Sequence, residues 1–364
     1  MKSLRLARQL FLLALILLLV VTGASAGLQI VWGPVLGDLT TTSAQLTWYT
    51  SAPSYGEVRI AGQSVARGGP VQAHKVMLSG LQPGATYYYS IYAEADGATA
   101  ETRKYRLTTP AAGLSNFTLG VYGDTRSDPA AHAQVVRALM ALHPDAILHT
   151  GDLVSDGSSV DNWHHFFPVI ARYSPSVPLY PCLGNHEGDG SLYFRFLPLP
   201  AGGGLGGGEW YTAVYGSVQI IVLDSSREQA TQGLWLHQLL TAPRPPGVLW
   251  RIVEFHNPPY TSGPHPGDPG ALKYWCPDLE RGAVDLVVSG HNHYYERSLK
   301  SGLNYLTVGG GGAPLYDATL SNPYRKVFDS TLSFVTVQVS PTALQVTAWD
   351  THEKVLDRFT VAKR

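Results

Sequence analysis

Cysteine is scarce in this chain of 364 residues, which contains only Cys182 and Cys276. Two cysteines exclude a small scaffold held together by several disulfides, and they exclude a metal site built from four thiolates. At most one disulfide can form within the chain. An intrachain bridge and a pair of buried free thiols are both compatible with the sequence.

Charged residues are also few, at 15% of the chain, and neither sign dominates. Lysine and arginine number 26 and aspartate and glutamate 27, which gives a net charge of −1. This balance predicts no basic surface for nucleic acid or for an anionic membrane. The apolar fraction of 45% is enough for a full core, and the length suggests two domains.

Residues 1–26 have the pattern of a secretory signal peptide. Three basic residues open the segment, the apolar run Leu10–Val21 follows, and residues 24–26 read Ala-Ser-Ala. The run is short for a membrane-spanning helix, which needs about 20 residues. We therefore expect cleavage after residue 26 and a secreted, periplasmic or cell-surface protein with 23 basic and 27 acidic residues. The alternative is an uncleaved helix that anchors the protein in a membrane.

Residues 27–110 alternate between β-prone runs and turn residues. Trp48 lies in one run and Tyr87–Tyr92 in another, and Ala52-Pro53 and Pro83-Gly84 interrupt them. This pattern predicts an all-β domain, followed by a linker at residues 110–113. The segment from Leu81 to Tyr89 resembles the late turn and strand of a fibronectin type III sandwich.

Residues 116–364 change to short apolar strands separated by helical segments, which predicts an α/β domain. The first helix begins after Asp128, with Pro129 at its first position. The tail from Leu332 to Val361 alternates as antiparallel strands do. The predicted strands of the α/β part are 117–122, 146–149, 179–183, 218–223, 249–255, 284–289 and 305–308.

Polar side chains that can bind metals follow five of these strands. In open α/β sheets, ligands bind beyond the carboxyl ends of the strands, and glycine precedes the polar residue in four of the five cases. Each motif alone is weak, but the ordered set is specific. In chain order, the residues are Asp124, Asp152, Asn185-His186, His256, and the pair His291 and His293.

These side chains offer carboxylate, amide and imidazole ligands, and no thiolate. Such ligands suit zinc, iron or manganese. A carboxylate shared by two ions would hold them roughly 3.5–4 Å apart, and such a pair polarises a phosphoryl oxygen and generates hydroxide near neutral pH. The sequence therefore predicts a two-metal centre for hydrolysis at phosphorus.

The motifs GDT at 123–125, GDL at 151–153, GNHE at 184–187, FHNPPY at 255–260 and GHNHYYER at 290–297 resemble those of the calcineurin-like metallophosphoesterases. The resemblance is to the purple acid phosphatase branch, which carries an N-terminal fibronectin-like domain. It implies an α/β core of the α+β sandwich type at 116–364, preceded by an all-β fibronectin type III-like sandwich at 27–110.

The resemblance also implies roles for the matching residues. Asp124 and His293 would bind the first metal, and Asp152 would bridge the two. Asn185, His256 and His291 would bind the second metal. His186 would contact the phosphoryl group or protonate the leaving group, and His265 would bind substrate.

Two positions depart from the family pattern. The purple enzymes have an iron-binding tyrosine three residues after the bridging aspartate, where this chain has Ser155. Other members have a histidine two residues after the first aspartate, where this chain has Arg126. Guanidinium cannot bind a metal ion but suits phosphate, so Arg126 is predicted to bind substrate, with a surface-turn role as the alternative. The first metal site therefore lacks one family ligand.

Three functional hypotheses remain at this point. The first is an exported dinuclear phosphoesterase that hydrolyses phosphate monoesters of small molecules by attack of metal-bound hydroxide, with iron, zinc or manganese. The second keeps this site but acts on diesters or nucleotides. The third is a cell-surface binding protein with a degenerate metal site. The oligomeric state is not predictable from the sequence.

Overall fold

The computed structural model describes residues 27–363, so the predicted signal peptide lies outside the described residues. The strands of the N-terminal region form an antiparallel β-sandwich. Its strands are β1 (Ile30–Gly37), β2 (Ser43–Ile60), β3 (Gln63–Ser79), β4 (Thr86–Ala95), β5 (Ala98–Glu101) and β6 (Tyr105–Thr108).

Strand β2 belongs to both layers of this sandwich. Its first part pairs with β1 and its last part with β4, while β3 follows it along its length. The register shifts between Tyr49 and Ser54, where the strand passes from one layer to the other. Trp48, Val58 and Ile91 are fully buried between the layers. The predicted β-sandwich is confirmed; the exact limits of the two domains stay a prediction.

The second part of the chain contains two sheets. The first has the order β19-β18-β17-β7-β8-β9 and the second β10-β11-β12-β13-β15-β14-β16. Their strands are β7 (Phe117–Tyr122), β8 (Ala146–His149), β9 (Leu179–Pro181), β10 (Tyr211–Tyr215), β11 (Val218–Val222), β12 (Trp250–Glu254), β13 (Leu286–Ser289), β14 (Tyr295–Lys300), β15 (Leu303–Val308), β16 (Arg325–Asp329), β17 (Ser333–Val339), β18 (Ala343–Asp350) and β19 (Val355–Ala362).

Helices cover these sheets. They are α1 (Pro129–Ala141), α2 (Val160–Ile170), α3 (Ser191–Phe196), α4 (Gln229–Thr241), α5 (Pro269–Tyr274) and α6 (Cys276–Asp278), with a 3-10 turn at Asn185–Glu187 and a π turn at Leu279–Ala283. Helix α1 begins as predicted, because Asp128 accepts hydrogen bonds from the N–H groups of Ala130 and Ala131. Within residues 27–363, no helix has the length and apolar character needed to cross a membrane.

Successive residues of the second sheet point into two different cores. Ile252 and Val288 face the cluster between the two sheets, whereas Val253 and Val287 face the helices α4 to α6. This period of two gives the layers helix, sheet, sheet and helix of an α+β sandwich, as the sequence predicted. Because each central strand is buried on both faces, it appears in the sequence as a continuous apolar run.

The two cysteines are free and buried. Cys182 lies in the cluster between the sheets and Cys276 in the cluster under the helices, so the second sheet separates them. Of the two alternatives left open by the sequence, the structure has the pair of buried thiols.

The sandwich packs directly against the α/β part. Trp32 stacks on Phe167 with ring centroids 3.8 Å apart. Thr47 Oγ1 donates to Phe196 O over 2.7 Å, and Tyr89 Oη donates to Pro175 O over 2.7 Å. One apolar cluster extends through both parts.

Candidate metal centre

The polar residues predicted at strand ends lie at one edge of the two sheets. Strands β7, β8 and β9 are parallel neighbours in the first sheet, and β11, β12 and β13 are parallel neighbours in the second. Parallel strands bring their carboxyl ends to the same edge. The loops after β7, β8, β9, β12 and β13 carry the six predicted ligands Asp124, Asp152, Asn185, His256, His291 and His293.

Asp152 lies at the middle of this group and is almost completely buried. Its Oδ1 is 3.3 Å from His256 Nε2, and its Oδ2 is 3.3 Å from Arg126 Nε. The backbone N–H of His186 donates to Oδ1 over 3.0 Å. Burial alone would raise the pKa of Asp152, but His256 and the His186 N–H hold it below its ordinary value. Asp152 is therefore an anion with one oxygen directed to each side of the site.

His256 presents an unprotonated nitrogen to two oxygen atoms when its ring is neutral. Its Nδ1 lies 2.8 Å from the Thr150 carbonyl oxygen, which fixes the proton on that nitrogen. Its Nε2 then faces Asn185 Oδ1 at 3.2 Å and Asp152 Oδ1 at 3.3 Å, which are both acceptors. Burial lowers the pKa of His256, but Asp152 and Asp124 outweigh this and raise it to about 10. Positive charge is required between these three atoms.

His293 has the same tautomer but a different neighbour. Its Nδ1 donates to Pro314 O over 2.6 Å, so Nε2 carries the lone pair. That nitrogen lies 3.6 Å from Asp124 Oδ1 and 3.4 Å from Arg126 Nη2. The guanidinium of Arg126 thus donates toward an atom predicted to bind the first metal.

Asp124 is completely buried and accepts the backbone N–H of His291 with both carboxylate oxygens, over 3.1 and 2.9 Å. Burial raises the pKa of Asp124 well above its ordinary value. The atoms of Asp124, Asp152 and His256 that could bind a metal all lie within 4.8 Å of one another. Two buried carboxylates this close together need compensating positive charge.

Three predicted ligands have a strained backbone. The φ angles of Asp124, Asp152 and His291 are +57°, +52° and +70°, in the left-handed region that favours glycine. Glycine at 184 is required for a related reason, since a Cβ there would collide with Asp152 Oδ1. Strain of this kind persists where surrounding contacts fix the chain, and it is frequent at functional sites.

Glu187 helps to fix the backbone of these loops, a role that the sequence did not predict. Its buried carboxylate accepts N–H groups from Gly184, Asp152, Leu153 and Val154 over 2.7 to 3.3 Å. Burial and the Asp152 carboxylate raise the pKa of Glu187 to about 7, against the effect of the N–H groups. Glu187, the last residue of the GNHE motif, therefore connects the loop after β9 to the loop after β8.

The two predicted catalytic histidines lie at the rim of this group. His186 Nδ1 donates to the Ser155 carbonyl over 2.8 Å, and its Nε2 is 3.9 Å from Asp152 Oδ2. The ring of His265 lies 4.4 Å from that of His291, centroid to centroid. Tyr316 stacks on His293 at 4.1 Å, a contact that no sequence motif indicated, since Tyr316 follows a long loop.

The donor set fits a metal ion on the His256 side. His256 Nε2, Asn185 Oδ1 and Asp152 Oδ1 converge, and once the second proton of His256 is lost they are three acceptors for one ion. His291 adds an imidazole whose ring centroid is 5.0 Å from that of His256. Nitrogen and oxygen donors of this kind suit zinc, iron or manganese.

Comparisons with known proteins agree with this geometry. Residues 117–295 match the family described as calcineurin-like phosphoesterase. Phosphoenolpyruvate phosphatase of Allium cepa is 28% identical over 273 residues, which cover 67% of this chain and 54% of that protein. Acid phosphatase type 7 of Mus musculus is 28% identical over 300 residues, which cover 69% of this chain and 67% of that protein.

A purple acid phosphatase from yellow lupin (Lupinus luteus) seeds has the same fold. The two structures superpose with a TM-score of 0.78 at 18% identity, over 90% of this chain and 74% of the lupin chain. That coverage includes the N-terminal sandwich as well as the core. The chain spans about half the length of several curated relatives that it matches.

Proposed function

We propose that this chain, whose residues 117–295 form a calcineurin-like phosphoesterase domain, is a metal-dependent hydrolase of phosphate monoesters. The observation that carries the proposal is the convergence of His256 Nε2, Asn185 Oδ1 and Asp152 Oδ1 at the carboxyl ends of three strands. These three atoms need positive charge between them, which a proton on His256 Nε2 or a metal ion can supply. The phosphatases among the relatives support the reaction class.

The residues that would hold metal are those predicted from the motifs. Asp152, Asn185, His256 and His291 surround one position, and Asp124 and His293 lie on the other side of Asp152. A zinc, iron or manganese ion would supply Lewis acidity to a phosphoryl oxygen and to the attacking water. Among the described residues, the side at Asn185, His256 and His291 has no guanidinium in it, and the second proton of His256 would be released when a metal binds there.

The protein would contribute proton transfer through His186. Its Nδ1 is tied to the Ser155 carbonyl, so the ring is held with Nε2 toward Asp152 Oδ2. The side chain is 30% exposed, which leaves Nε2 accessible to a substrate. A proton on Nε2 could pass to the leaving alkoxide, since a positioned imidazole can act as a general acid.

The space beside Arg126 is small, and none of the six predicted metal ligands lines it. A cavity of about 130 Å³ opens next to Arg126 and is lined also by Ser127, Ser155, His165 and Phe166. The planar guanidinium of Arg126 can donate to a phosphoryl oxygen. His265 stands beside His291 at the opposite rim and is proposed to contact the substrate.

We propose a small phosphorylated molecule as the substrate. We also propose that residues 1–26 direct export of the protein and that it has no nucleic-acid partner.

One observation favours a second candidate, a binding protein without turnover. Arg126 lies against Asp152 Oδ2 and His293 Nε2, where the family places its first metal.

An activity assay distinguishes the enzyme from the binding protein. Purified protein is given an aryl phosphate monoester and the matching diester, each with Zn²⁺, Mn²⁺ or Fe²⁺. Monoester turnover would support the proposal, and a preference for the diester would change the proposed substrate class. Absence of turnover with all three ions would overturn the proposal that the chain is an enzyme.

A further inference from the structure

We propose that the centre holds a single metal ion and that the guanidinium of Arg126 takes the place of the second. The ion would be bound by Asp152, Asn185, His256 and His291. Arg126 would stand on the other side of Asp152, between its Oδ2 and His293 Nε2. The inference rests on the proposed metal-dependent function and concerns the composition of that same site.

The two sides of the site differ in their hydrogen-bond donors. On the His256 side, His256 Nε2, Asn185 Oδ1 and Asp152 Oδ1 face one another, and among the described residues no arginine or lysine side chain lies between them; the backbone N–H of His186 donates to Asp152 Oδ1 from the edge. On the His293 side, the protein provides donors itself. Arg126 Nη2 lies 3.4 Å from His293 Nε2, and Arg126 Nε forms an ion pair with Asp152 Oδ2 over 3.3 Å without a hydrogen bond. The lone pair of His293 that would bind a metal is therefore directed at an N–H group.

The His293 side also lacks ligands. Ser155 stands where the purple enzymes have tyrosine, and its Oγ lies 3.3 Å from Ser127 Oγ. Thr125, the neighbour of Arg126, donates its hydroxyl to Leu153 O over 2.9 Å. An ion on this side would be left with Asp124, His293 and a share of Asp152, one protein ligand fewer than the other side offers with Asp152, Asn185, His256 and His291.

Arg126 is held in this position by the loops around it. The N–H groups of Asp124 and Thr125 donate to the carbonyls of Gly151 and Asp152, over 2.9 and 3.0 Å. Asp128 then caps helix α1 two residues further on. The arginine side chain is only 17% exposed. The contacts with Asp152 and His293 are therefore part of a fixed loop and not one arrangement of a free surface side chain.

Charge also favours one ion. Arginine stays protonated in proteins, so its charge cannot be removed when a metal binds. Two divalent ions together with the guanidinium would surround two buried carboxylates with an excess of positive charge. One divalent ion and Arg126 leave a smaller excess, which an incoming phosphate can neutralise. Like a second metal, the guanidinium can stabilise the charge of the phosphoryl group, and its planar N–H groups suit that geometry.

The test counts ions and does not rely on turnover. Wild-type protein, Arg126→His and Arg137→His are loaded with Mn²⁺ under the same conditions, and bound metal per chain is measured by elemental analysis and by calorimetry. Arg137 lies on the exposed face of α1, so Arg137→His is a matched control. We expect one ion per chain in the wild type and in the control. We expect two in Arg126→His, since histidine removes the cation and adds a ligand.

Electron paramagnetic resonance gives a second reading that needs no variant. A single Mn²⁺ in the wild type gives the signal of an isolated ion, whereas two ions sharing Asp152 give a spin-coupled signal. Two ions in the wild type, or one ion in folded Arg126→His, would overturn the inference while leaving the phosphatase proposal intact. Wild-type protein that binds no ion would overturn both.

Discussion

His256 Nε2 lies 3.3 Å from Asp152 Oδ1, although the Nδ1 of the same ring donates to the Thr150 carbonyl. The Thr150 contact decides which nitrogen carries the proton, and so it decides that the other nitrogen meets a carboxylate as an acceptor. With the pKa of His256 raised to about 10, a second proton on Nε2 holds the pair together near neutral pH, and a bound metal ion would replace that proton. The relationship joins the ends of β12 and β8, which belong to different sheets.

Replacement of His186 should separate catalysis from metal binding. In His186→Gln, bound metal per chain should stay at the wild-type value, because the side chain makes its nearest ligand contact at 3.9 Å. Turnover of an aryl phosphate should fall by about 10²–10⁴, the usual contribution of a general acid. A less acidic leaving group should suffer the larger loss. Loss of metal in this variant would show that His186 is a ligand.

Glu187 should matter to stability although it contacts no substrate. In Glu187→Gln, an amide replaces a carboxylate that accepts four backbone N–H groups, and its NH₂ meets some of those donors. The free energy of unfolding should fall by about 2–4 kcal/mol. Chemical denaturation measures this change, with exposed Glu353→Gln as the control. Equal stability of the two variants would mean that the loop connection has little energetic weight.

The contact between the sandwich and the α/β part should contribute strongly to folding. Trp32 is 5% exposed and stacks on Phe167, so Trp32→Ala should lower the free energy of unfolding by about 3–5 kcal/mol. Tyr88→Ala, at a ring that is 62% exposed, should change it by less than about 0.5 kcal/mol. Because one core extends through both parts, a single unfolding transition is expected in calorimetry. Independent melting of the two parts would contradict this.

Both cysteines should be unreactive in the folded protein. Burial raises the pKa of the Cys276 thiol to about 12 and that of Cys182 well above its ordinary value. At pH 8 neither forms the reactive thiolate, so a thiol reagent should label no site until denaturant is added, and then two. If the two cysteines formed a disulfide, the reagent would label no site either in the folded or in the denatured protein. Folding raises the pKa values of both thiols. The contribution of the protonated thiols to the free energy of unfolding is therefore complete below about pH 9 and declines above it.

The sequence predicted which polar residues follow the strands because that signal is local; their roles as metal ligands stay a prediction. An apolar run buried on both faces, a glycine and then a polar residue are adjacent in the chain, as in Val287-Val288-Ser289-Gly290-His291. Strand limits were less accurate: β9 ends at Pro181 and not at Leu183, and β13 begins at Leu286 and not at Val284. Residues 182 and 183 lead from the end of β9 toward the site, whereas residues 284 and 285 precede β13 at the end away from the site.

Contacts between distant loops were not predictable in the same way. Arg126 and His293 are 167 residues apart, and their approach depends on how the two sheets pack. The sequence assigned Arg126 to substrate, and the structure adds its contacts with Asp152 and His293. The pairing of the cysteines was undecided for the same reason, since only the topology places a sheet between them.

The most direct test of the proposed function is phosphate-monoester hydrolysis measured before and after removal of metal. The protein is treated with a chelator, assayed on an aryl phosphate, reloaded with Zn²⁺, Mn²⁺ or Fe²⁺ and assayed again, beside Asp152→Ala. We predict activity that is lost with the metal, returns with it, and stays absent in the variant. Turnover that persists without metal, or that never appears with any of the three ions, would contradict a metal-dependent phosphatase.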